Sequence, residues 1–481
     1  MKKSNHFFDF LISHAKIYGF IFPSSEIYGG LNAVYDYGPH GVELKNNIKK
    51  FWWKSMTQLH ENIVGVDSSI FMHSDVWHAS GHVDQFNQLL IDNKDSKKRY
   101  RPEILIQEYV EKNFLNNPKK KDETLSRLYQ SLKTKNFVDI KVLMDELSIC
   151  DPVFKKKNWT KIRHFNMMFK IKNEKDLYLR PETAQGIFSN FHNVIKSNRM
   201  KIPFGIAQIG KSFRNEIIAR KFIFRMREFE QMEMQFFILP EEEIKWYEYW
   251  KKNRLKWHLE LNLENNKKSY KLCDHDHLAH YATYGSDIEF HFPFGFQEIE
   301  GIHSRRDFDL KNHELCSKKK LRIFESKRNY IPYVIETSLG LDRLFLAIFS
   351  SSLKKEKLKN GKMRIVLKLP YYLSPIQAAI FPLVRKDGLP EIAKKIFNDI
   401  KIHYRLIYDE KESIGKLYRR QDAIGTPFCF TVDYDTIKTN TVTMRERDSM
   451  KQKRIYIKEI SKIIEQETGL KKILKKLSYL I

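Results

Sequence analysis

Between residues 204 and 237 the chain carries two runs of period-2 alternation. In the first, Gln208, Ser212, Arg214 and Glu216 fall on one side of an extended segment, while Ala207, Ile209 and Phe213 fall on the other. In the second, Arg225, Arg227, Phe229, Gln231, Glu233 and Gln235 alternate against Phe224, Met226, Met232, Met234 and Phe236. Two strands joined by a short basic connection are predicted, one face apolar and the other built of guanidinium, carboxylate and aromatic groups. Around them the apolar spacing is mostly helical. Residues 7–18 read as a helix followed by the turn PSSEIYGG, and Gly38, Pro39 and Gly41 precede a helix carrying Val42, Leu44, Ile48, Phe51 and Trp52. Residues 332–349, PYVIETSLGLDRLFLAIF, predict an apolar strand ending at Glu336, a turn relieved by Gly340, and a helix that buries Leu341, Leu344, Phe345 and Ile348 with Arg343 at its start. Beyond SSLKKEKLKNGKM, strands such as RIVLKL, PFCFTVD and TVTMRERDS alternate with helical stripes. This predicts a second α/β domain of roughly 120 residues, an ordinary domain size.

Composition narrows the class. The chain has 481 residues, 42% of them hydrophobic, enough for two or three domains with ordinary cores. A net charge of +26 suits a polyanion such as RNA, and suits an acidic ligand or a membrane surface less specifically; a Lys-rich mutational bias produces the same excess. Cys150, Cys273, Cys316 and Cys429 form no C-x-x-C pair, which points away from a disulfide framework or a four-cysteine zinc site. The apolar N-terminus is interrupted by Asp9, His14 and Lys16, and no run reaches the ~18 apolar residues of a membrane span. A soluble protein in a reduced, cytoplasmic setting is expected. Residues 92–157 shift to Lys, Asn and Glu and read as an insertion.

The polar face of the paired strands carries chemistry. Arginine can grip a phosphate by two parallel hydrogen bonds, an exposed Phe can stack on a base, and carboxylates can hold an ammonium group or Mg²⁺. A nucleotide and an amine bound side by side are suggested, the alternative being a surface hairpin laced with Arg–Glu pairs. The pattern Phe213-Arg214-x-Glu216 with Arg225-x-x-x-Phe229-x-x-x-Glu233 resembles motif 2 of the class II aminoacyl-tRNA synthetases. YGPHGVELKNNIK resembles their motif 1, and residues 332–349 resemble motif 3. With LYLRPETAQGIFSNF, GFQEIEGIHSRRDFDL, SIGKLYRRQDAIGTPF and VTMRERDSM, the resemblance is to the glycyl-tRNA synthetases of homodimeric single-chain type, over nearly all of the chain.

That resemblance implies an α+β catalytic domain over residues 1–361, with an antiparallel sheet flanked by helices, and an α/β anticodon-binding domain over 362–481. It implies a homodimer that uses ATP and Mg²⁺ to join glycine to tRNA(Gly). Arg214 would bind the α-phosphate and Arg343 the γ-phosphate, as the two catalytic groups. Phe229 would stack on adenine and Glu216 would meet its edge, with Asn215, Phe224, Arg225, Arg227, Glu298, Ile299, Arg305 and Gly340 completing the ATP site and Glu298 meeting the Mg²⁺. Glu182, Glu233 and Glu336 would surround the glycine ammonium, with Arg101, Arg225, Phe229, Ser338 and Gly340 around the rest. Lys416, Arg419 and Arg420 would contact tRNA. No zinc site is expected: where relatives often carry cysteine pairs at the two ends of the insertion, only Cys150 remains, and the His-rich LCDHDHLAHY occurs in relatives without a metal. Thr337 stands where relatives usually have Pro. Blander readings stay open: Arg101 as a solvated surface residue, Glu182 as a helix N-terminal carboxylate, Glu298 and Arg305 as a structural pairing, and the 416–420 stretch as a solvated basic face. The whole chain also admits two other readings, a non-catalytic RNA-binding relative or a synthetase for another amino acid. The presence of both Arg214 and Arg343 speaks against the first; RPETAQG and EIEG speak against the second.

Overall fold

The computed structural model describes residues 2–171, 177–216, 221–261, 269–276, 278, 281–325, 327–358 and 360–479. Its centre is a seven-stranded sheet: β1 (Ile63–Gly65), β2 (Phe204–Phe213), β3 (Glu228–Ile238), β4 (Tyr270–Asp274), β5 (Tyr284–Phe292), β6 (Gly295–Arg306) and β7 (Tyr333–Gly340). The spatial order is β4-β5-β6-β7-β3-β2-β1, antiparallel throughout except for the parallel β1–β2 pair. Helices α1 (Pro39–Thr57), α2 (Ala184–Ser189), α3 (Glu243–Glu260), α4 (Phe308–Ser317) and α5 (Leu341–Ser352) flank it. The apolar set of the alternation goes where the period sends it. Met232, Met234, Ile302, Ile335 and Leu339 pack with Leu44, Phe51 and Trp52 of α1, Trp250 and Trp257 of α3, and Leu344, Phe345 and Ile348 of α5. The opposite sheet face keeps its polar side chains.

Two local expectations are corrected. The paired strands are shorter than the alternation suggests. Arg214 N–H still bonds to Arg227 C=O at 2.9 Å, but Asn215 N–H turns to Met167 C=O and Arg227 N–H to Ala33 C=O, so both segments leave the ladder. A 3₁₀ turn at Phe222–Phe224 buries Ile223 and Phe224; residues 217–220 of the connection lie outside the described residues. The strand expected to end at Glu336 runs on to Gly340, whose φ of −74° is ordinary for any residue. A Cβ there would meet the Arg343 side chain from 3.3 Å, so the glycine makes room for that arginine rather than for a turn.

The Lys-rich insertion has a core of its own. Helices Pro102–Asn113, Pro118–Lys133 and Phe137–Glu146 bury Leu105, Ile106, Val110, Leu128, Ile140 and Leu143 against Tyr100 and Trp159. Strand Asn87–Asp92 pairs with Arg163–Asn166 where the insertion leaves and rejoins the sheet body. At those two ends, fully buried Asn93 and Asp151 close the turns by hydrogen bonding. Asn93 Oδ1 accepts from the N–H groups of Asp95 and Ser96 (both 3.1 Å); Asp151 accepts from those of Val153 and Phe154 (2.7 and 2.9 Å) and from Ser96 Oγ (2.6 Å).

The expected domain boundary at 361/362 falls in the turn of a hairpin, β8 (Leu353–Lys357) with β9 (Met363–Leu367). Leu353, Leu367, Leu369 and Leu373 all belong to the large core, so RIVLKL is a strand but not one of the second sheet. That sheet comprises β10 (Ala378–Pro382), β11 (Leu406–Tyr408), β12 (Phe428–Val432), β13 (Thr441–Glu446) and β14 (Gln452–Tyr456), in the order β11-β10-β12-β13-β14. Helices α6 (Leu389–Ile400) and α7 (Ile414–Ile424) accompany it, and α8 (Lys471–Ser478) crosses back to seat Leu477 in the large core. Buried Asp422 of α7 binds both Arg364 of β9 and Arg445 of β13, pinning hairpin to second sheet. Among the described residues, no helix is long and apolar enough to cross a membrane.

Candidate active site

Strand register places the polar face. Gln208 lies opposite Glu233, Glu233 opposite Ser338, and Ser338 opposite Gly301; one step along, Gln235 faces Glu336 and Glu336 faces His303. Over these strands opens a cavity of about 410 Å³. Following β3 and β7 through it leads from an acidic end, at Glu233 and Glu336, to a basic and aromatic end where Arg214, Phe224, Arg225, Phe229, Glu298 and Arg343 line the wall.

At the acidic end Glu182 stands just before α2, as the strand-to-helix reading predicts, and accepts from Gln185 Nε2 at 2.8 Å. His82 Nε2 approaches it at 3.3 Å, while the His82 Nδ1 is within 2.8 Å of Ser80 Oγ. Glu336 accepts from Arg305 Nη1 at 2.9 Å, from Gln235 Nε2 at 2.7 Å, and faces His303 Nδ1 at 3.4 Å. Burial works to raise both carboxyls. The charges of His82 and Arg305 overcome it at Glu182 and hold that group well below the usual carboxylate range, and Arg305 with His303 takes Glu336 down to about 2. Glu233 has no such help. Its partners are the Thr183 hydroxyl and the Gln235 amide, both neutral, and burial plus the charges of Glu336 and Glu182 push its carboxyl well above the ordinary value. Of the three, Glu233 is the carboxyl whose surroundings most favour the protonated form.

At the basic end the Arg214 guanidinium lies between the rings of Phe86 (5.4 Å) and Phe229 (5.3 Å), with Nε donating to Pro181 C=O at 3.1 Å. Arg343 lies over Phe224 at 4.6 Å and pairs with the half-exposed Glu298 at 3.0 Å, and Arg343 draws the Glu298 carboxyl down. Burial lowers the Arg225 guanidinium from its ordinary value, with Arg343 and Arg101 nearby adding to the effect and Glu216 opposing it. Among the described residues no carboxylate lies within ion-pair distance of Arg214 or Arg225. Half-buried cations left without counter-ions make an anion site.

Several expected residues stand elsewhere. Arg305 is buried and its three nitrogens turn to Asp309 (2.7 and 2.9 Å) and Glu336, beneath Tyr281, so it is the counter-ion of the carboxylates rather than a phosphate ligand. Arg101 stands just before the first insertion helix, donates to Glu103 at 2.6 Å and lines a neighbouring cleft shared with Arg225, not the main cavity. The Ile299 side chain is in the core, and Asn215 accepts from Arg227 Nη2 at 2.9 Å. Lys416, Arg419 and Arg420 are exposed on α7, whose other face buries Leu417 and Gln421. His275 and His303 come within 4.8 Å of Asp287, but His275 pairs with Asp287 at 3.0 Å and His303 with Glu336; His277 and His280 of the same word lie outside the described residues. Sequence reasoning missed His82, Thr183 and Asp309. Gln235 was on the polar face by alternation alone, whereas His82 comes from a distant segment with no periodic signal.

Over 469 residues the chain is 48% identical to the glycine–tRNA ligase of Borreliella burgdorferi, spanning 95% of this chain and 96% of that one. Over 465 residues it is 47% identical to the glycine–tRNA ligase of Chlorobaculum tepidum, spanning 94% and 98%. The chain belongs to the glycine–tRNA ligase family. Its parts match accordingly: residues 167–352 the tRNA synthetase class II core domain (G, H, P, S and T), residues 377–467 an anticodon binding domain, and residues 110–167 the glycyl-tRNA synthetase insertion domain 1. The sheet and cavity thus coincide with the class II core, and the α7 face with the anticodon binding domain. A solved structure described as the RNA binding domain of threonyl-tRNA synthetase from Cryptosporidium parvum superposes with a TM-score of 0.61 at 13% identity, covering 95% of this chain and 97% of that one, a likeness of fold alone.

Proposed function

We propose that this chain is itself a glycine–tRNA ligase, which condenses glycine with ATP to glycyl adenylate and pyrophosphate and then transfers the glycyl group to the 3′-terminal ribose of tRNA(Gly). The observation that carries the reading is the cavity's polarity: three carboxylates converge at one end and Arg214, Arg225 and Arg343 at the other. An ammonium group at the first end and a triphosphate at the second leave the amino-acid carboxylate beside the α-phosphate. No side-chain nucleophile is needed, because that carboxylate is the nucleophile and the protein supplies position and charge. Arg214 stabilises the α-phosphate as charge grows there, Phe229 stacks on adenine with Glu216 at its edge, and Arg343 holds the γ-phosphate. Glu298 suits Mg²⁺, which takes one or two carboxylates and completes its shell with substrate phosphates, and it is the half-exposed carboxylate at this end. The ion would neutralise phosphate charge.

Ser338, held by Gln231 Nε2 at 3.3 Å between Glu233 and Gly301, forms with the strand backbone the wall that a larger amino acid would strike. The exposed Lys416, Arg419 and Arg420 face supports anticodon-arm binding. By family resemblance α1 joins two copies in a homodimer, and the cytoplasm is the working compartment. Pyrophosphate exchange into ATP that depends on added glycine tests the reading. Exchange with glycine and not with alanine is expected; exchange that needs no amino acid, or that alanine supports equally, refutes it.

A further inference from the structure

Beneath the phosphate end of the cavity is a buried charge cluster to which the reading above gives no role. Lys45 of α1 is nearly fully buried. Its Nζ lies 2.6 Å from Glu230 Oε2 on β3 and 3.1 Å from Asp342 Oδ1 at the start of α5. The ammonium also sits 4.0 Å from the centre of the Tyr37 ring, whose hydroxyl donates to the same Asp342 oxygen. The second Asp342 oxygen accepts the backbone N–H of Glu230 at 2.8 Å, and Lys49, one turn along α1, reaches Glu230 Oε1 at 3.3 Å. Two cations thus meet two carboxylates among three elements that are far apart in sequence.

Both carboxylates border the cavity. Glu230 is the neighbour of Phe229, which faces the base, and Asp342 the neighbour of Arg343, which faces the terminal phosphate. Removing one partner of a buried ion pair strands the other without compensation, so the cluster either keeps its geometry or shifts as a unit. Lys45, itself on α1, makes ion pairs with both β3 and α5.

We propose that Lys45 is a positioning residue for the nucleotide. By holding Glu230 and Asp342 it fixes the approach of β3 to the first turn of α5, and with it the separation of Phe229 and Arg343. It meets neither substrate, and it has no part in the acidic end where Glu182, Glu233 and Glu336 gather. The effect of losing it should therefore fall on ATP and spare glycine.

This inference rests on the proposed ligase reading, and glycine-dependent pyrophosphate exchange by the unmodified protein tests that reading separately. Given that exchange, Lys45→Met should raise the KM for ATP by roughly 10- to 100-fold, the scale of a small misplacement of reacting groups. The KM for glycine should stay within about twofold, and Lys45→Arg, which keeps the charge, should recover part of the loss. A general loss of folded protein would instead lower kcat with both KM values unchanged, and that result would overturn the proposal. Asp342→Asn cuts the same link from its other end, so it is read alongside and decides the matter if Lys45→Met does not fold. A folded Asp342→Asn protein with a wild-type KM for ATP overturns the proposal as well.

Discussion

Binding of glycine should expel a proton from Glu233. The cavity brings three carboxyls together, and cations attend two of them: Arg305 and His82 attend Glu182, Arg305 and His303 attend Glu336, whereas burial and the repulsion of the other two favour the neutral form of Glu233. An ammonium group placed about 4 Å from a carboxylate gains about 4 kcal/mol at the effective dielectric of a partly solvated protein site. That attraction favours the ionised carboxyl and so lowers Glu233 from its raised empty-site value. The sign follows. Because the bound state holds one proton fewer, glycine affinity rises with pH up to the empty-site value of Glu233 and is flat above it. Titration calorimetry with glycine in phosphate and in Tris, whose protonation enthalpies differ widely, should give unequal heats equivalent to about one proton released. Glu233→Gln should bind glycine 10- to 150-fold more weakly, for the ~1.5–3 kcal/mol of a charged hydrogen bond, and should release no proton. Equal heats in the two buffers for the unmodified protein would refute the assignment of the proton to Glu233.

Three further outcomes are expected. Arg214→Ala and Arg343→Ala should each lower pyrophosphate exchange by ~10²–10³ without unfolding the protein, since each removes one donor to developing charge at a partly open wall; exchange near the wild-type rate in either variant sinks that residue's role. Ending the chain at residue 361 should abolish exchange and soluble expression together, because Leu367, Leu369, Leu373 and Leu477 leave the large core with the deleted part. Replacing Lys416, Arg419 and Arg420 together by Ala should leave exchange intact yet reduce tRNA charging, and should flatten the salt dependence of tRNA binding by about one to three ions; an unchanged salt slope removes this face from the RNA footprint.

Much of the site could be read from sequence because a strand's period is rigid. Once residues 204–213 and 228–238 are extended, Gln208, Glu233 and Gln235 must share a face, and the structure puts them there. The readings that went astray are those that period does not govern. Strand ends depend on which other segment takes the next N–H, and Met167 and Ala33, which compete for Asn215 and Arg227, leave no trace in the local pattern. The same holds for Arg305. Its place on a basic, polar word suggested a phosphate ligand, but whether a guanidinium meets phosphate or carboxylate is set by what the fold brings beneath it, here Asp309 from the start of the following helix and Glu336 from another strand. Likewise the insertion's Lys-rich composition concealed a core whose apolar residues are few but converge from three helices.

The hydrogen-bonded closure of the insertion has a bearing on the conditions the protein tolerates. Asn93 and Asp151 fasten the two ends of the insertion through hydrogen bonds to neighbouring N–H and hydroxyl groups. A joint closed on a carboxylate in this way is sensitive to acid. Burial tends to raise the Asp151 carboxyl, but Ser96 Oγ and the N–H groups of Phe154 and Val153 outweigh it and keep the group ionised below the usual range. Its contribution is therefore whole above the ordinary carboxyl range and fades only as pH falls through the depressed value.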